Sequence, residues 1–291
     1  MINILRKIFY KKSQWTIGFY IIKKNELLNL DINKKPISLI KYHDISDFNA
    51  SFVADPFLIK HSNKIYCFFE ILKTKEHKGV IGVAESTDGI NFKYKKVVLE
   101  ENFHLSYPNV FRINNEYYMV PESGANNDVR LYKAKNFPYE WEFQKTLLFG
   151  NNFTDATFLY QNNIWYMFVS NNLHNELNIY YSENFDGKYL PHPLNPIYKD
   201  NKKYSRPAGN FINLNSNIYR LAQDCSTRYG KQVYLMKIEE ITTTSYKETM
   251  LKTLIQPAKK QKWNARKMHH FNYIEISNDQ YLVVTDGEGY E

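Results

Sequence analysis

Asp55-Pro-Phe-Leu-Ile-Lys-His-Ser-Asn-Lys-Ile-Tyr-Cys-Phe-Phe-Glu70 reads as an apolar run, a polar turn at Ser62-Asn63, and a second apolar and aromatic run. That is the pattern of a β-hairpin. The chain writes it five times. Tyr107 to Glu122 repeats it around Asn114-Asn115, and Asp155 to Ser170 repeats it around Asn162-Asn163, both without a gap. Arg206 to Asp224 is a fourth copy with a short insertion, and His270 to Asp286 is a fifth.

Two further strand-like runs follow most hairpins. In the first unit they are Val80 to Glu85 and Phe92 to Leu99, joined by the turn Ser86-Thr-Asp-Gly89; in the second they are Val129 to Ala134 and Trp141 to Leu148. Four short antiparallel strands repeated five times, at a period near 50 residues, predict an all-β fold: a five-bladed β-propeller of four-stranded antiparallel blades. On this reading residues 1–291 form a single domain. It comprises a basic segment (1–14), a closing strand with its approach (15–50), and blades starting near 55, 107, 155, 206 and 270. The sequence stops just after the fifth hairpin, so Trp15 to Ile22 is expected to supply an outer strand and close the ring.

Composition agrees. Aromatic residues make up 16% of the chain, with 24 Tyr and 19 Phe, and they favour strands. Cys67 and Cys225 give neither a disulfide framework nor a metal-type spacing, which fits a reducing compartment. The net charge of +8 suits a partner bearing phosphate or carboxylate. Beyond the N-terminus the basic residues are scattered, which argues against nucleic acid. In Met1 to Lys12 the apolar Ile2, Leu5, Ile8 and Phe9 stand at helical spacing beside Arg6, Lys7, Lys11 and Lys12. A helix packed on the domain is the plainer reading; an interfacial helix giving peripheral contact with an anionic membrane is the alternative. The apolar run is too short for a signal peptide or a span, so the expected location is cytoplasmic, with a peripheral place at the inner face of the membrane as the alternative.

Propeller geometry turns the repeats into a site. The first strand of each blade lines the central channel and the second returns beside it, so the start of one and the end of the other share a mouth. The starts are Asp55, Tyr107, Asp155, Arg206 and His270, and the ends are Glu70, Glu122, Ser170, Asp224 and Asp286. Six of these ten are carboxylates. Like charges in one opening push pKa values apart, which is how a general acid is separated from a base or nucleophile. Reaction at a glycosidic bond uses such a pair. A single acid here has an equally plain structural use, bonding backbone amides of the next blade; convergence of six is harder to explain that way. His104 and Ser106 lead into the second blade, and Arg228 leaves the fourth. Arg206 and Arg228 suit a bidentate clamp on phosphate or carboxylate, or equally ion pairs neutralising the acids. No cofactor is expected. A channel-bound metal ion would rest on His269 or His270, which lack the spacing of a metal pair. Trp141 and Trp263 could stack on sugars, with blade packing the plainer use.

Several motifs carry a family resemblance: Ala54-Asp-Pro-Phe57, Ser86-Thr-Asp-Gly89, Leu105-Ser-Tyr-Pro108, Pro121-Glu122, Asp155-Ala-Thr, Pro191-His-Pro-Leu-Asn-Pro196, Arg206-Pro-Ala-Gly209 and Gln223-Asp-Cys-Ser226. Over roughly residues 50 to 290 the chain resembles the propeller at the N-terminus of plant glucosamine inositolphosphorylceramide transferases and bacterial relatives from surface-polysaccharide clusters. In the plant proteins the recognised glycosyltransferase domain is another part of the chain. More distantly it is similar to the five-bladed arabinanase and β-xylosidase glycoside hydrolases. That likeness implies Asp55 as base and Asp155 as the residue tuning the acid's pKa. Where those hydrolases carry the acid Glu, this sequence has Arg206.

These readings combine into an expectation. The protein makes or breaks a glycosidic bond in capsule or lipopolysaccharide assembly, with transfer favoured, acting on a carbohydrate, sugar phosphate or lipid-linked sugar. Asp55 would be base or nucleophile, Asp155 its tuner and Glu122 the acid. Glu70, His104, Tyr107, Arg206, Asp224, Arg228, His270 and Asp286 would bind substrate. The alternatives are an intracellular glycoside hydrolase, which would release free reducing sugar, and a non-catalytic sugar-binding module, whose affinity would survive neutralising the acids.

Overall fold

The computed structural model describes residues 13–150, 152–258 and 262–290. The basic residues of the N-terminal segment lie outside them. Five small antiparallel sheets follow one another along the chain. Blade I is Ala50–His61, Lys64–Lys73, Gly79–Ser86 and Lys93–Leu99. Blade II is Ser106–Ile113, Glu116–Ser123, Asp128–Asn136 and Glu140–Phe149. Blade III is Phe153–Gln161, Ile164–Asn171, Glu176–Ser182 and the short Leu190–Pro191. In blade IV the inner strand is broken into Arg206–Pro207 and Ile212–Leu214, followed by Asn217–Asp224, Gln232–Ile241 and Tyr246–Ile255. Blade V pairs Phe271–Glu275 with Gln280–Tyr290, then takes Ser13–Lys23 and Ser38–Ile40 from the other end of the chain.

The ring therefore closes as expected. Ser13–Lys23 runs antiparallel to Gln280–Tyr290 in unbroken register from Ser13↔Tyr290 to Lys23↔Gln280. A two-stranded end blade would leave a long hydrogen-bonding edge exposed, and the N-terminal strand covers it.

Each blade buries both faces against its neighbours, so the core is a set of seams. Between blades II and III, Val120, Val129 and Leu131 meet Phe153, Ala156, Met167 and Val169. Between IV and V, Leu221, Val233 and Leu235 meet Tyr20, Ile22, Phe271 and Val283. The expected turn at Ser86 to Gly89 is tied by Asp88, whose Oδ1 accepts from Ile90 N and Asn91 N at 2.8 Å each. Trp141 stands edge-on to Phe68 in the seam between blades I and II, and Trp263 is buried against blade V, so both serve packing.

Three inner strands open with the same distortion. Registers slip between Ala54 and Phe57, between Ser106 and Asn109, and between Thr154 and Thr157. The residues in the slips, Asp55, Tyr107 and Asp155, have φ of 54°, 43° and 57°. A left-handed non-glycine residue in a β-bulge re-aims its side chain and is held there only by surrounding contacts. In blade IV the equivalent break contains Gly209, at φ 124°, where a Cβ would lie 1.9 Å from Phe271 O. Gly209→Ala is expected to destabilise the protein by about 3 kcal/mol through clash and strain together. Urea unfolding measures it, and an unchanged midpoint would show that the blade IV–V junction relaxes freely.

Candidate active site at the channel mouth

The registers place starts and ends at one opening: Ala54 faces Glu70, Ser106 faces Glu122, Thr154 faces Ser170 and Arg206 faces Gln223. Beneath it the channel is filled. Phe57, Tyr107 and His270 meet edge-to-face at centroid separations of 4.6–5.3 Å. The Tyr107 hydroxyl reaches across to accept from Gly209 N at 2.7 Å and to bond Thr157 Oγ1 at 2.7 Å. The site is thus a floor with a rim, reached from one side.

One group of acids sits at the junction of blades V and I. Asp286, fully buried, accepts from the backbone N–H of Asp55, His269 and His270 at 3.0, 3.2 and 3.1 Å, and from His269 Nδ1 at 2.8 Å. His269 then points Nε2 toward Asp55 Oδ1 at 3.7 Å. Burial penalises the charge on Asp286, but the neighbouring His269 outweighs it and holds the carboxyl below its ordinary value. Asp55 is pushed well above its ordinary value by burial, opposed by His269 and reinforced by Glu70, Asp286 and Asp155. For His269, burial disfavours the cation, and Asp286 more than compensates, raising its pKa. His269 thus lies between two carboxyls, its Nδ1 fixed by the buried one.

A second group joins blades II, III and IV. Arg206 donates through Nε to Asp155 Oδ2 and through Nη2 to Oδ1. Glu122 is half-buried and accepts from Ser106 Oγ and Gly124 N, both at 2.8 Å. Burial, then the charge of Asp155, pushes Glu122 up, against the pull of Ser106, Arg206 and His104. Asp155 therefore raises both Asp55 and Glu122 while itself being held by Arg206. At the blade I–II edge, His104 accepts from Gly79 N at Nδ1 (3.0 Å), which leaves its proton on Nε2, 3.2 Å from Glu70 Oε1.

The mouth thus assembles Asp55, Glu70, His104, Glu122, Asp155 and Arg206. Five other residues expected to touch substrate stand elsewhere. Tyr107 and His270 are enclosed in the channel, and burial depresses the His270 pKa to about 3, keeping the ring neutral. Asp286 is enclosed among its four donors. Asp224 is turned away from the acids, accepting from Ser226 N, Gln232 Nε2 and Tyr234 OH at 2.9–3.0 Å. Arg228 lies exposed on the loop after it. For the two aspartates the physical reason is common: an acid at a strand end is taken up by whatever amides and hydroxyls fold against it.

The structure adds three residues. His269 is one: its Nε2 lies 3.7 Å from Asp55 Oδ1, with the enclosed His270 Nδ1 3.9 Å from the same oxygen. Trp15 stacks on His269 at 4.1 Å, and Tyr229 stands edge-on to it at 5.3 Å with its ring 5.2 Å from the Arg206 guanidinium. Tyr229 is 45% exposed, an aromatic surface beside the acids. The His-His doublet at a blade start was a visible signal; nothing in the sequence tied Trp15 or Tyr229 to the mouth.

Among the described residues, Asp55, His269 and Asp286 bring potential metal-ligand atoms within 4.8 Å of one another. The oxygens of Asp286 are already taken by four protein donors, so the set fits an ion poorly. Open grooves elsewhere, such as one of 560 Å³ lined by Tyr181, Glu183, Lys188 and Leu190, bring no such cluster together.

Comparison with known proteins agrees with this architecture. Among solved structures, a family 117 glycoside hydrolase from Zobellia galactanivorans superposes with TM-score 0.57 at 12% identity, covering 95% of this chain and 90% of that one. The catalytic domain of an α-L-arabinofuranosidase from Coprinopsis cinerea gives 0.59 at 13% identity, covering 80% and 90%. Such identities show shared fold alone. Glucosamine inositolphosphorylceramide transferase 1 of Oryza sativa subsp. japonica is 36% identical over 251 residues, 83% of this chain and 34% of that protein. The Arabidopsis thaliana transferase of the same name is 32% identical over 253 residues, 84% and 33%. The chain spans about a third of the length of these relatives. A family model described as "Glucosamine inositolphosphorylceramide transferase 1, N-terminal" matches residues 18–288, all five blades, and the chain belongs to that family.

Proposed function

We propose that the mouth is a carbohydrate-active site that transfers a glycosyl group from a phosphate-bearing donor, a sugar phosphate or lipid-linked sugar. The observation that carries this is Glu122 beside the Asp155–Arg206 pair: burial, then the negative charge of Asp155, inclines Glu122 to hold a proton against the pull of Arg206. Glu122 gives that proton to the departing oxygen as its bond to the anomeric carbon breaks. Asp55 takes the proton of the acceptor hydroxyl as the new bond forms. Asp55 serves as a base only when ionised, and protonated His269 is the neighbour that favours this. Arg206 balances the donor's negative charge, and Tyr229 offers a ring face to the sugar. The transferase relatives support glycosyl transfer.

A thermal-shift series with sugar phosphates and neutral oligosaccharides, on wild type and Asp55→Asn, tests the proposal. Phosphorylated sugars are expected to raise the melting temperature with concentration. Asp55→Asn should keep that rise and lose turnover. If only neutral glycans act, and the variant still turns over, the transfer reading fails.

A further inference from the structure

The loops around the mouth form a continuous rim over blades II, III and IV, tied by backbone bonds. Asn172 N donates to Asn152 O, Asp200 N to His174 O, and Cys225 N to Lys202 O. Two large apolar side chains stand out from it, Phe149 at 81% and Leu173 at 66% exposure. Burying both in solvent-free surroundings would be favourable, and nothing in the propeller's own packing calls for them to be outside. Around them the rim segments 172–175, 199–203 and 225–231 carry Lys199, Lys202, Lys203, Arg228 and Lys231 against the single acid Asp200. Lys199, Lys202 and Lys203 are exposed.

We infer that this rim seats the propeller on an anionic lipid bilayer, with Phe149 and Leu173 entering the headgroup boundary and the lysines meeting lipid phosphates. Apolar side chains in a cationic surround are what an interfacial contact requires. It rests on the reading of the mouth as a sugar site, and the rim would turn that mouth toward the membrane surface.

The test is co-sedimentation of the full chain with phosphatidylcholine vesicles and with vesicles containing about 30% phosphatidylglycerol, at low and high salt. Wild type is expected to partition at least about tenfold more strongly to the anionic vesicles, with the difference shrinking at high salt. Phe149→Ser with Leu173→Ser, and separately Lys202→Glu with Lys203→Glu, should each lower partitioning by about tenfold or more. Both double variants should keep the wild-type melting temperature and its shift with soluble sugar phosphate. Equal partitioning to neutral and anionic vesicles overturns the proposal. So does wild-type partitioning by both double variants, which would assign binding to residues 1–12 or to another face. Asp55→Asn should partition as wild type. If soluble sugars fail to bind while the vesicle pattern holds, the mouth's chemistry falls and the docking stands.

Discussion

Asp286→Ala is expected to lower the stability of the propeller by about 3–5 kcal/mol, the range for breaking a buried ion pair by removing one partner. The carboxylate has no solvent exposure and takes four hydrogen bonds: from Asp55 across the V–I junction, from the backbone of His269 and His270, and from the His269 ring. Its loss leaves His269 without its counter-ion and three amides without an acceptor, at the one blade assembled from both chain ends. Denaturant unfolding reads the effect. Asp286→Asn, which keeps one acceptor oxygen, should lose less and gives a folded variant if alanine does not. The pH sign follows from its lowered pKa. Its contribution is complete above the ordinary value of 3.8 and drains as pH falls through the lower folded value. The alanine variant should lack that component of acid sensitivity. Wild-type stability in both variants would mean that the blades are joined by seam packing alone.

Glu122→Gln is expected to reduce kcat for transfer from a glycosyl phosphate or lipid-linked donor by about 10²–10⁴, the usual contribution of a positioned general acid. Folding should change little, because the amide oxygen still accepts from Ser106 or Gly124. A general acid works while protonated, so the wild-type rate should fall as pH rises through the raised Glu122 pKa, and glutamine should abolish that limb. Asp155→Asn removes the charge that helps to raise Glu122, and the limb should move to lower pH. Undiminished kcat in Glu122→Gln would remove it from the mechanism. A lost rate with an unmoved pH profile in Asp155→Asn would make Asp155 a holder of Arg206 only.

How much of this was legible in the sequence differs by level. The five hairpins, the turn at Ser86 to Gly89, the closing strand at Trp15 to Ile22 and the pairing of blade starts with blade ends followed from period and alternation, because a strand's two faces and a hairpin's register are local properties. The same pattern brought Asp55, Glu70, Glu122, Asp155 and Arg206 to one opening. Only the tertiary structure decided which of the ringed groups stay available. Asp224 and Asp286 look like Asp55 in the repeat, yet nearby hydroxyls and amides claim both, while Asp55 accepts from one amide, Tyr107 N at 3.3 Å, and faces His269 at 3.7 Å. His269 and His270 are adjacent in sequence just before the inner strand of blade V, yet one ring lies against Trp15 and the acids and the other in the channel floor. Trp15 and Tyr229 reach the mouth from positions more than two hundred residues apart in sequence, placed there by ring closure and by a loop of blade IV. The sequence by itself determined the ring and the inventory of charges at its mouth. Burial and long-range hydrogen bonding determined which charges persist there, because desolvation and partner geometry exist only once the blades have packed.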